Sequence, residues 1–268
     1  MSNVDNVSIK TGFCRLCCEE SQLCDSHIIP RAFFKMAKDR SSQLVIMTIP
    51  GVEKPRLDNV NWTEPLLCKQ CEGFLRDSYE TSQIEKLKGA RDKVTTAHEK
   101  LTLYALDYQR FYLFWLSIFW RASVSKLEVF SSVELPLEIM DLMRFAIQSR
   151  RVKYHHYDLS DLLQIGIVKI KPHGYMKNED VRGLMSSFKV FNNNGFPCYL
   201  LFVGGLAVVY QLADEIRASM PAGFKGIKNS RVYRIPKYEP AECEVLRQVF
   251  SDTADIALKF PDLMNGKS

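Results

Sequence analysis

GFCRLCCEESQLCDSHIIP at residues 12–30 and EPLLCKQCEGFLRDSYE at residues 64–80 decide how this chain folds. Each contains a Cys-x-x-Cys pair, Cys14/Cys17 in the first and Cys68/Cys71 in the second. A tight turn sets both thiols of such a pair on one side, and two turns that meet complete the tetrahedral sulfur set that zinc prefers. The paired spacing predicts one structural Zn2+ held by Cys14, Cys17, Cys68 and Cys71. Cys18 and Cys24 lie close enough along the chain for either to replace a member of the first pair.

Outside these stretches Cys198 and Cys243 stand alone in apolar surroundings and read as small core residues. Eight cysteines behind a start that has no charged, apolar and small-residue succession fit metal ligands and core thiols better than disulfides. A cytoplasmic protein is expected. With 268 residues, 46% of them hydrophobic, the chain is long enough to bury a substantial core.

Two runs resemble membrane spans and are read otherwise. FYLFWLSIFW at 111–120 is flanked by Asp107, Arg110 and Arg121 and is far short of the roughly 20 residues a bilayer demands, so it reads as a buried helix. CYLLFVGGLAVVYQL at 198–212 has Gly204-Gly205 between two sets of strand formers, the signature of a two-residue hairpin. No membrane partner is expected.

The periodicity divides the chain into a polar, frayed N-terminus at 1–12, a zinc-binding module at 13–95 and a C-terminal domain at 96–268, an α+β fold overall. Helices are expected at about 72–96, 107–125, 137–150 and 241–250. Strands are expected at 44–49, 164–170 and 187–191 and in the Gly-Gly hairpin, with turns at 50–51, 172–174 and 192–195. The net charge of +5 is uneven: residues 81–155 carry 12 basic against 8 acidic side chains, whereas residues 1–80 carry 10 against 11. A near-neutral N-terminal module lacks the phosphate-neutralising charge of a strong free-standing DNA binder, and the middle segment can supply it.

Between the two cysteine pairs lie Ser26-His27-Ile28-Ile29-Pro30 and then Asn59 and Asn61. Over residues 13–80 this order of Cys-x-x-Cys, His-Ile-x-Pro, Asn and Cys-x-x-Cys resembles the zinc-stapled members of the HNH, or ββα-metal, endonuclease superfamily. SHIIP, LLCKQCE, Tyr79-Glu80 and SIFWRASVS at 117–125 extend the likeness to uncharacterised bacterial HNH-like proteins that share a C-terminal α+β domain. The resemblance implies that His27 is the general base, that Asn61 or else Asn59 holds the His27 loop, and that a catalytic Mg2+ or Mn2+ stabilises the phosphorane and the leaving oxygen. The residue before the base is usually an acidic or histidine metal ligand in that family and is Ser26 here. The histidine that follows the second pair is Glu72, a hard oxygen ligand suited to Mg2+. Glu80 is about 12 Å farther along a helix, too far to share one ion with Glu72. His27 could instead serve the zinc knuckle, as a ligand or as a hydrogen-bond donor.

In the helix that Pro30 opens, Arg31, Lys35 and Lys38 form a basic stripe able to follow phosphates. Trp120-Arg121 reads as a buried aromatic beside a satisfied arginine, or as a functional pair. The expectation is a metal-dependent nuclease acting on nucleic acid, DNA rather than RNA, in bacterial defence or mobile-element biology, with a protein partner at the C-terminal domain. The competing expectation is a zinc-stapled binding module without catalysis.

Overall fold

The structure is a computed structural model that describes residues 10–38, 44–47, 56–58, 62–92, 100–154, 157–174, 177–213 and 219–250. Strand β1 (Thr11–Phe13) pairs antiparallel with β2 (Glu20–His27), and α1 (Arg31–Lys38) follows the Pro30 turn. Next come β3 (Leu44–Met47), β4 (Arg56–Asp58) and β5 (Thr63–Cys68), the last antiparallel to β2. Helix α2 (Lys69–Leu75) widens into a π segment at Arg76–Glu80 and resumes as α3 (Thr81–Asp92). The expected single helix from 72 thus begins three residues earlier, with Cys68 as its N-cap, and is interrupted once.

Strand β6 (Lys100–Leu103) leads into α4 (Tyr108–Val124), whose first turn is capped by the Asp107 carboxylate accepting from the Arg110 N–H. Thirteen of its residues are buried, which is what a helix apolar on every face requires. Helix α5 (Leu137–Ser149) ends on Arg150 in the left-handed conformation, and the short β7 (Lys153–Tyr154), β8 (Tyr157–Asp158) and α6 (Leu159–Leu162) pass the chain to β9 (Leu163–Ile170). Then follow α7 (Asn178–Gly183), β10 (Leu184–Ser186), β11 (Lys189–Asn193), β12 (Phe196–Val203), β13 (Leu206–Leu212), β14 (Lys225–Gly226) and β15 (Tyr233–Tyr238). A final helical stretch covers 244–250.

A seven-stranded sheet of order β11-β12-β13-β9-β15-β6, with β14 beside β9, forms the centre. Gly204 and Gly205, at φ of 59° and 76°, make the predicted hairpin turn between β12 and β13. Both faces of these strands are buried. Tyr199, Leu201, Val208 and Tyr210 pack in the α4 core, and Leu200, Phe202, Ala207 and Val209 in a second cluster with Leu246. A strand buried on both sides needs no charge, which accounts for the uncharged run without a membrane. No helix among the described residues is long and apolar enough to cross one.

The α4 core continues into the N-terminal module. Phe33 of α1 stacks on Trp115 at 5.9 Å, and Trp62 lies edge-on between Phe34 at 5.7 Å and Phe130 at 5.5 Å. The segments on either side of residue 96 therefore share one hydrophobic cluster. The expected α+β class is observed. The strand expected at 187–191 is β11, which begins two residues later at Lys189, with Ser187 and Phe188 between it and β10. The N-terminus expected to fray over 1–12 ends instead in β1, where Thr11 and Gly12 pair with β2, and its first nine residues, turn 50–51, Asn59 and Asn61 lie outside the described residues.

Candidate functional site

The first cysteine pair flanks the turn between β1 and β2. The Cys18 N–H donates to the Cys14 carbonyl at 2.8 Å, and Cys18 takes a φ of 63°, which folds the chain back under the two thiols. The second pair bridges the start of α2, with Cys68 at the cap and Cys71 one turn in, so the helical rise sets that spacing. Arg15 N–H donates to Leu66 O at 3.1 Å and Cys68 N–H to Cys14 Sγ at 3.3 Å, which docks one turn on the other. The Sγ atoms of Cys14, Cys17, Cys68 and Cys71 lie within 4.8 Å of one another, and these four thiols could hold a metal ion such as zinc. Cys18 is exposed and Cys24 half-buried, and neither belongs to the cluster.

The electrostatics of the cluster suit a cation. Burial pushes the Cys17 and Cys71 thiols up, whereas at Cys14 burial is outweighed by N–H groups of Cys68, Cys17 and Leu16 that bring the thiol down. Crowded thiols cannot all ionise while their charges face one another, and a divalent metal removes that conflict.

Beyond the knuckle, β2 carries a bulge between Cys24 and Asp25 and ends at His27, opposite Thr63. The bulge turns Ser26 fully inward, where its hydroxyl accepts from Leu67 N–H at 3.1 Å and reaches Cys24 O at 3.3 Å. Ser26 is thus a fastener between β2 and β5. Asp25 faces outward, 3.8 Å from Lys10. The His27 imidazole is half-buried, its ring 6.3 Å from that of Phe34.

The His27 carbonyl is held from α4. Arg121, 2% exposed, donates from Nη1 to His27 O at 2.8 Å, from Nε to Ser117 O at 3.1 Å, and pairs through Nη2 with Glu80 Oε1 at 2.8 Å. Trp120 beside it is buried in the core. Glu72 occupies a different position: its charge, after burial, is what raises the Cys24 thiol, and its Oε1 is enclosed with no hydrogen-bond partner among the described residues. Asp77 is paired with Arg76 at 2.8 Å. Arg31 and Lys35 are exposed on α1, and Lys38 closes that helix.

Compared with known proteins, this chain matches no family model, and no curated protein or solved structure is significantly similar to it.

The structure therefore brings His27, Arg121 and Glu80 into one network and sets Glu72 beside Cys24. The four cysteines of the cluster are those that the paired spacing in the sequence singles out. The sequence reading missed the pairing of Glu80 with Arg121. Half of its signal was available, because Arg121 follows an apolar run and a charge buried on an apolar helix needs a partner, whereas Glu80 lies among polar residues that do not mark it out. His173 is exposed, 2.9 Å from Glu239. Cys198 and Cys243 are buried, as their surroundings predict.

Proposed function

We propose that residues 13–95 form a zinc-stapled, HNH-like nuclease module that hydrolyses phosphodiester bonds, carried on the α+β domain. The observation that supports this reading best is the succession of two antiparallel strands and a helix, β2, β5 and α2, with His27 at the end of the first strand and a cysteine cluster joining the other end. In this reading the zinc is structural. His27 takes a proton from the attacking water, and the Arg121 clamp on its carbonyl keeps the strand end from shifting as the ring accepts that proton. The enclosed Glu72 oxygen suits a hard cation, and a bound Mg2+ or Mn2+ would neutralise charge on the phosphorane and on the departing oxygen. Arg31, Lys35 and Lys38 follow the backbone of the nucleic acid, DNA in preference to RNA. The α+β domain selects the partner or substrate, in a defence or mobile-element setting.

One observation favours a second reading. Ser26 is consumed by the bond that fastens β2 to β5, so the position that precedes the base supplies no metal ligand. A zinc-stapled binding module without catalysis would have that property. A plasmid-nicking assay with Mg2+ or Mn2+ separates the two. For the nuclease, His27→Ala loses on the order of 100-fold to 10,000-fold in rate with zinc content unchanged. Glu72→Ala raises the metal concentration required, and Glu72→His restores activity with Mn2+. Wild type that cleaves neither DNA nor RNA with any divalent ion, while His27→Ala keeps its cellular function, leaves only the binding module.

A further inference from the structure

A half-open cavity of about 550 Å³ lies at the N-terminal end of α4, bordered by the turn after α5 and by the 229–231 loop. Arg121 and its His27 contact are thirteen residues along α4 from Tyr108, or about 20 Å of helix, so this is a separate place in the molecule. Its rim carries Arg151, Lys153 and Arg231, all exposed, with side chains that have no partner among the described residues. The one carboxylate of the lining, Asp107, is already committed: it caps the Arg110 N–H at 3.1 Å and lies 3.4 Å from Arg110 Nε. Three cationic residues thus line one concavity whose single carboxylate is already engaged by Arg110.

The walls are fixed rather than loose. Leu106 N–H donates to Arg231 O at 2.9 Å, and the Ser230 hydroxyl is tied at both its donor and acceptor sides to Val232. Gln109 accepts from Val152 N–H at 3.4 Å, which leaves its amide N–H groups as further donors, beside those of Asn229. Donors therefore predominate around a space of the size that holds a small ligand. The forked guanidinium groups of Arg151 and Arg231 match the oxygens of a phosphate in particular.

We propose that this cavity binds a phosphate-bearing small molecule of nucleotide size, gripped by Arg151, Lys153 and Arg231. The site is independent of the nuclease reading and stands or falls separately from it. Isothermal titration of the full chain with AMP and with inorganic phosphate tests it, alongside the Arg151→Gln/Lys153→Gln/Arg231→Gln variant. The expected result is saturable binding of AMP, weakened at least tenfold in the triple variant, whose unfolding midpoint without ligand stays that of wild type because the three side chains are exposed. Competition by inorganic phosphate shows that the phosphoryl group is what is held. No heat of binding with either probe at about 1 mM overturns the proposal, as does AMP affinity that survives the triple substitution. A short DNA duplex that binds only the wild type, with no effect of AMP on it, also overturns it and makes the rim a contact for a nucleic-acid backbone.

Discussion

Arg121 reaches across 94 positions of sequence to donate a hydrogen bond to the backbone carbonyl of His27, while the same guanidinium holds the Glu80 carboxylate. A side chain of α4 therefore sets where β2 ends. Removing one partner of a buried pair leaves the other charged and unsolvated, so Arg121→Met is expected to cost about 3–5 kcal/mol in denaturant unfolding. Arg121→Met combined with Glu80→Leu should recover much of that loss, because an apolar pair no longer carries the desolvation cost. A single-variant cost below about 1 kcal/mol would show that the clamp is not what holds the two segments.

The metal cluster makes a second expectation. Protein purified without chelator should contain close to one zinc per chain, and Cys68→Ser should lower both metal content and the unfolding midpoint, since structural zinc contributes folding free energy directly. Less than about half an equivalent of zinc counts against the four-thiolate site.

Thiol reactivity follows from burial and charge. Only the thiolate attacks, and burial pushes the Cys198 thiol up to about 12, so at pH 8 about one in ten thousand of these groups is ionised. Cys18, exposed beside the knuckle, should alkylate first in the native protein. The four clustered cysteines should follow only after chelation, and Cys198 and Cys243 only on unfolding. Since a raised thiol gains reactivity as pH climbs toward its own value, labelling of Cys198 below pH 9 in folded protein would show that its site opens.

The shared core bears on whether the C-terminal part stands alone. Trp62 fills the space between Phe34 and Phe130, so Trp62→Ala is expected to cost about 3–5 kcal/mol and to be felt in a single transition of the whole chain. A fragment of residues 96–268 exposes Trp115 and Phe130 where Phe33 and Trp62 had been, and should lack cooperative unfolding. A fragment with the stability of the full chain would show that the junction contributes little.

What the sequence disclosed is what short spacing encodes. The two Cys-x-x-Cys pairs, the all-round apolar α4 and the Gly204-Gly205 turn each declare themselves within one or two turns of chain. The bulge at Cys24-Asp25 does not, because the register between β2 and β5 depends on a partner strand 40 residues away, and the bulge is what turns Ser26 inward. Strand β15 runs parallel to β9 and antiparallel to β6, a pairing that no local alternation announces. The pocket at the head of α4 is assembled from three separated segments, so its cations look like ordinary surface residues in the sequence.

The π segment at Arg76–Glu80 has a consequence for how this chain can vary in length. Widening the helix there lets Tyr79 reach the Ile147 carbonyl at 2.5 Å while the next residue, Glu80, meets Arg121, two inward contacts from adjacent positions. Each residue of a regular helix turns about 100°, so a single deletion between Cys71 and Glu80 would carry the carboxylate round to another face. The distance in residues from the knuckle to Glu80 is therefore a gauge that must be kept to the unit, whereas the exposed Asn194-Gly195 turn could gain a residue with little effect on the core.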